Sequence, residues 1–169
     1  MLFLLLVMRL VHILLGVFWV GTVLFTSIFL LPAARDAGPE GAKVIGGLGR
    51  RISAVLPAVA GLNILAGLWL FWRVSGGFQP AFMHSGTGVT FSFGGAAAIA
   101  ALVIGVVVAR PAMMRAGALA ESAARAPAAE RDAQLAEAER LRLRAGAASQ
   151  VVAVLLVLAV AAMALARYV

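Results

Sequence analysis

The chain has 169 residues, of which 63% are hydrophobic and 12% charged, with a net charge of +7 and a mean hydropathy of +1.04. A water-soluble domain runs at about half apolar and about a quarter charged, so this composition excludes an ordinary aqueous globule. The absence of cysteine excludes disulfides, iron–sulfur clusters, thiolate zinc sites and c-type haem attachment, leaving His and Met as the soft or imidazole metal ligands.

Uncharged stretches mark four predicted membrane-spanning helices, at about 4–32, 52–73, 87–109 and 146–167. Each reaches the roughly 20 residues that a bilayer core demands at 1.5 Å per residue. A helix is the form that satisfies every backbone N–H and C=O inside its own segment. The first apolar stretch lacks a basic leading region and is too long for a cleaved leader, so it reads as a retained span. The expected fold is all-α: one transmembrane domain over residues 1–169, an integral membrane four-helix bundle.

Lys and Arg are distributed unevenly over the connections. Arg35, Lys43, Arg50 and Arg51 precede the second span, and seven Arg lie between Arg110 and Arg144. Only Arg9, Arg73 and Arg167 fall on the opposite side. The positive-inside rule places the eleven basic residues in the cytoplasm and both termini outside, the periplasm if the source is bacterial. The expected setting is therefore the cytoplasmic membrane of a bacterium, with the lipid bilayer as partner. No separate basic domain exists to bind nucleic acid, so the positive charge reads as topology signal and anionic-lipid contact.

The first connection, with Gly38-Pro39-Glu40-Gly41 and then Gly46-Gly47, predicts a turn and a short helix leading into the second span. Pro57 is expected to bend that span, and Gly61 and Gly67 to allow close packing. From 110 to 145 Ala, Glu, Arg and Leu dominate, and these favour helix; Pro127 suits the start of a new helix and would break an old one. The third span is therefore expected to run on to about Arg125 and the fourth to begin near Ala128. They would form a cytoplasmic hairpin with Leu119 and Leu135 in its seam, either a solvated extension or a docking arm.

No Asp, Glu or Lys lies inside a predicted span, which removes the usual carriers of a coupled proton or ion. No Ser/His/Asp set or carboxylate pair points to hydrolysis. Arg9 lies near the outer end of the first span and can snorkel; His12 is the ionisable side chain farther inside it, with Met8 one turn earlier and Gly16 and Trp19 following on the same face. Met83 and His84 precede the third span, and Met163 lies in the matching half of the fourth. His and Met are ligands for copper, and imidazole or thioether can hold haem iron. Met8, His12, Met83, His84 and Met163 are therefore candidate metal ligands, with His12 and His84 the candidate cofactor-binding pair. The same residues also suit a chain with no cofactor, Met as apolar filler and His84 as an interfacial residue. Asn63, midway along the second span, and Trp19 read as structural polar residues. The Asn63 amide is expected to find a partner across the bundle.

The stretch from Arg9 through His12, Gly16, Trp19 and Gly21 to Leu31-Pro32 and Arg35 resembles the opening of a group of small membrane proteins. That group includes copper resistance protein D-like domains and HemJ-type protoporphyrinogen oxidases. The resemblance covers about 25 residues; beyond them it is a shared four-span plan. It implies that His12 ligates haem b, as the matching histidine does in HemJ-like proteins, or takes part in copper handling. The oxidase pattern is incomplete: Ala33, not Arg, follows Leu31-Pro32, and the third span lacks the lysine that family uses. Three functions are expected to compete. One is a cofactor protein in which His12 ligates haem b or copper near the outer face, for redox or metal handling. The second is an accessory or scaffold subunit, with membrane-protein partners or as a homo-oligomer. The third is a small copper permease.

Overall fold

The computed structural model describes residues 2–169, with the side chains of Pro39, Ala42, Lys43, Ile45 and Arg50 outside the described set; the predicted topology charges Lys43 and Arg50 thus lie outside the described residues. The described chain is helical nearly throughout, and four of its helices are long and apolar enough to cross a membrane. The first runs Leu2–Asp36, the second Gly38–Val74, the third Gly86–Ala123 and the fourth Ala128–Leu165, which ends in a tight turn Ala166–Tyr168. A four-residue helix, Pro80–Met83, bridges the second and third.

The four helices alternate in direction. Thr87 Oγ1 donates to the Val169 carbonyl at 2.9 Å, so the carboxyl terminus, the start of the third helix and the 75–85 connection share one end of the structure. The turn at Ala37 and the connection 124–127 lie at the other, here called the hairpin end. The third helix stops at Ala123 and the fourth starts at Ala128, close to the expected bounds. The first connection differs from expectation. A single turn at Ala37, with Gly38 at φ +60°, joins the first two helices, and the second runs unbroken through Gly46, Gly47 and Gly49. Gly41 is required there, since a Cβ would run into the Ala34 carbonyl where the two helices meet.

The helices associate as two pairs, first with second and third with fourth. A small core joins them: Trp19, Val23, Ala60, Ala101, Val152 and Leu156, drawn from all four helices. Outward-facing positions on the apolar stretches are large hydrophobics, among them Leu14, Val17, Leu62, Leu65, Phe93, Val103, Val154 and Val157.

The third–fourth seam is built from small residues. On the fourth helix Ala138, Ala145, Val152, Ala159 and Ala166 are buried at steps of seven, with Ala148 and Ala162 fourteen apart. This is a heptad seam of an antiparallel coiled coil. On the third helix Gly94, Ala97 and Ala101 are buried, and then Ala112, Ala116 and Ala123. Ala97 to Ala112 and Ala101 to Ala116 each span fifteen residues, two heptads and one. The extra residue is absorbed by a π-helical turn at Gly105–Ala109, closed by the Arg110 N–H on the Gly105 carbonyl. An added residue would otherwise rotate the later alanines by about 100° off the seam. This corrects the expected leucine seam: Ala112, Ala116, Ala123 and Ala138 are buried, while Leu135 is 43% exposed.

Candidate functional site

His12 and Asn63 meet across the first–second seam in a reciprocal arrangement. The His12 imidazole occupies the notch left by Gly67, where a Cβ would stand 2.8 Å from Cε1 and 3.1 Å from Nδ1. The Asn63 side chain occupies the notch opposite Gly16, with its Oδ1 3.5 Å from the place a Cβ would take. His12 Nδ1–H donates to the Asn63 backbone carbonyl at 2.9 Å. A carbonyl can only accept, so this bond fixes the proton on Nδ1 and the plane of the ring, and it leaves the Nε2 lone pair as the available donor to a metal. His12 itself is half-buried.

Asn63 departs from the reading that its amide finds a partner. The residue is 7% exposed, and its Oδ1 is buried with no hydrogen-bond partner among the described residues. An orphaned buried acceptor costs about 1–3 kcal/mol.

The other candidates are spread over different surroundings. Met8 lies one turn before His12 on the first helix and is half-buried. Met163 Cε lies 3.3 Å from the Cβ position of Gly94, which sets it against the third helix, whereas His12 packs on the second. Met83 ends the short helix Pro80–Met83, and His84 follows it with its side chain exposed. Among the described residues no three His, Asp or Glu side chains come together as a metal group. Trp19 is 3% exposed and stands in the core that joins the two pairs.

Between the pairs, toward the hairpin end, lies a cavity of about 180 Å³, which sequence reasoning did not find. Trp19, Ala60, Ala101 and Val152 form its floor, and Leu31, Leu48, Arg110 and Met113 stand toward its mouth. Thr22, Thr26, Ser27, Ser53 and Ser149 bring hydroxyls to an otherwise apolar wall. Three interruptions of helical bonding border it. The first helix makes a π turn at Thr26–Leu30, closed by the Leu31 N–H on the Thr26 carbonyl, one turn before Pro32. The third makes its π turn at Gly105–Ala109, just before Pro111. Pro57 lies inside the second helix and has no N–H to give the Ser53 carbonyl. The only advance signal was the three prolines, each within a helix; nothing in the sequence says that they converge.

No family profile, curated protein or solved structure matches this chain, so its function is read from these two places in the fold.

Proposed function

We propose that the chain is an integral protein of a bacterial cytoplasmic membrane that binds a metal-centred cofactor, haem b in preference to copper, through Nε2 of His12 near the periplasmic face. The membrane setting is supported by four helices of sufficient length and apolarity and by large hydrophobics over their outward faces, a pattern an aqueous surface does not carry. The Arg bias of the connections supports placing the hairpin Arg110–Arg144 in the cytoplasm and both termini outside.

The observation that carries the cofactor reading is the 2.9 Å bond from His12 Nδ1 to the Asn63 carbonyl. Metal-ligating histidines characteristically spend their second nitrogen on such a carbonyl, which orients the ring and raises the basicity of the ligating nitrogen. Haem is favoured over copper by the donor set. A haem iron can be held by one protein imidazole, with apolar surface against the macrocycle. A copper site assembles several soft or imidazole donors, and Met163 packs against the third helix while the His84 side chain is exposed on the 75–85 connection. Bound there, haem would supply one-electron redox chemistry; the protein would hold and orient it.

The test is the visible absorption spectrum of protein purified from haem-replete cells. A Soret band that is lost in His12→Ala is expected. No Soret band in either oxidation state, or one indifferent to that substitution, overturns the reading.

A second reading, an accessory subunit of a larger membrane complex, is favoured by the helical hairpin, whose surface carries Arg131, Glu137, Glu139, Arg140 and Arg142. Copurification of a defined partner in mild detergent, lost on replacing residues 113–142 by a short linker, would establish it; a monodisperse chain without partner would end it.

A further inference from the structure

We propose that the central cavity is a binding site for an acyl-chain amphiphile with an acidic head group, seated with the head at Arg110 and the chain directed toward Trp19. The site is separate from His12 and does not depend on cofactor binding.

Size and lining set the chain. An apolar cavity of ~150 Å³ accepts a benzene-sized guest, so the 180 Å³ here takes a stretch of one acyl chain and not a macrocycle. At 1.5 Å per residue, Arg110 stands roughly 13 Å and Thr26 roughly 10 Å along the helices from the Trp19–Ala101 floor. That depth is apolar apart from scattered hydroxyls, and Arg110 makes its mouth cationic. The charge order matches an amphiphile in a bilayer, with the head at the interface and the tail toward the midplane.

Two observations choose an acidic head. Arg110 is exposed at the mouth, and no ion pair holds it among the described residues. Arg35 lines an adjoining hollow of about 290 Å³ that shares Ser27 and Leu31 with the cavity, its guanidinium 3.6 Å from the Cβ position of Gly146. Second, Thr26 Oγ1 is buried with no hydrogen-bond partner among the described residues. A helical threonine ordinarily returns its hydroxyl to a carbonyl one turn back; this one, in a π turn at the cavity wall, does not. A carboxyl or ester oxygen at that level would accept a hydrogen bond from it. π turns are commonly retained where a helix serves a ligand, and here two of them face the same space.

The head could belong to a free fatty acid or to a membrane lipid with a phosphate, and the experiment separates these. With Trp69→Phe and Trp72→Phe, Trp19 becomes the sole indole and reports on the cavity floor. The protein, in a neutral detergent, is titrated with 9,10-dibromostearic acid, its methyl ester, and lysophosphatidylglycerol carrying the same brominated chain. Saturable quenching by the acidic forms is expected, with the ester at least about tenfold weaker. Arg110→Gln should weaken the acidic forms about tenfold, the size of one charged hydrogen bond, and Ser149→Leu should abolish quenching by filling the space. Tighter quenching by the phospholipid assigns the site to a membrane lipid, and tighter quenching by the acid to a free fatty acid. Quenching that rises without saturation, equally for acid and ester, and unchanged in Arg110→Gln, overturns the proposal. Because Arg110 is exposed, that variant and the acid–ester contrast decide the matter even if Ser149→Leu fails to fold.

Discussion

The two helix pairs solve one problem in different ways. The third and fourth helices approach through alanine and glycine, so their backbones close on one another along a heptad seam that continues past the apolar stretch into the charged hairpin. Small-residue seams of this kind associate by van der Waals contact and need no polar group. The first and second helices also use small residues, but Gly67 and Gly16 serve as sockets for His12 and Asn63. One pair is dense and lined by alanine through its apolar stretch, with one buried amide oxygen, that of Gln134, in its hairpin; the other admits, at the centre of its seam, an imidazole with one committed nitrogen and an amide oxygen with no partner among the described residues. Gln134 apart, the first arrangement is explained by packing. The second is more polar than packing requires, and that excess marks it as the place to look for chemistry.

The sharpest way to break this contrast is to overfill the dense seam. Ala116 is 0% exposed, facing the fourth helix in the hairpin. Ala116→Leu inserts three carbons where no void exists and should cost about 1–3 kcal/mol, read as earlier thermal unfolding in detergent. Ala118→Leu, at an exposed position of the same helix, should leave the midpoint nearly unchanged. Equal effects at both positions would deny that the hairpin is held by its alanine seam.

Next in size is the socket under His12. Gly67→Ala places a Cβ 2.8 Å from His12 Cε1, so the ring must move and its bond to Asn63 must lengthen. A loss of about 1 kcal/mol is expected. If His12 holds haem, the Soret band should weaken far more than stability does. Gly61→Ala, where a Cβ meets nothing within 4 Å, is the control, and an identical response of the two glycines would remove the special role of Gly67.

These substitutions also show what was legible in advance. The four apolar helices could be read because span length and absence of charge are local properties. The hairpin bounds were legible for the same reason, since Pro127 and the Ala/Glu/Arg composition act within a turn or two. The seam was not. Leu119 and Leu135 are the obvious apolar side chains, yet Leu119 is only half-buried and Leu135 exposed, because alanines let the helices close on one another, and closeness is set by the partner helix. The π turn hid the repeat further, because a heptad search fails when one residue is inserted between Ala101 and Ala116. At the candidate site, His12, Gly16, Asn63 and Gly67 were each visible as exceptions to an apolar background. Their pairing depends on the register of two helices fifty residues apart, which no local pattern fixes. The cavity was invisible because the helix interruptions that border it, two π turns and Pro57, lie in three different helices.

A smaller effect, of opposite sign, tests whether Asn63 is orphaned. Asn63→Leu keeps the number and branching of the side-chain heavy atoms and removes an unpartnered acceptor, a change that is neutral or stabilising by up to about 1 kcal/mol when the acceptor lacks a bond and the slightly larger side chain is accommodated. The His12 contact should survive, since it uses the Asn63 backbone carbonyl and not the side chain. Thermal midpoint and cofactor content measured on one preparation separate the possibilities. A clear destabilisation would mean that the amide has a bonding partner in the membrane. Retained stability with lost cofactor would place Asn63 at the cofactor itself.

The smallest expected effect lies on the hairpin surface. Arg140 pairs with Glu137 at 3.5 Å and Arg142 with Glu139 at 3.4 Å, each at i, i+3 spacing and with both partners well exposed. Such pairs contribute about 0.3–0.5 kcal/mol at most, so Glu137→Gln and Glu139→Gln together should shift the thermal midpoint by about the error of the measurement, and less at high salt. Set beside Ala116→Leu, this comparison locates the hairpin's stability. If the alanine seam holds it, the charges are free to vary and serve topology or a partner. If instead the double glutamine variant unfolds the hairpin, the charged face carries the load, and the distinction between a dense pair and a polar pair fails at that end of the molecule.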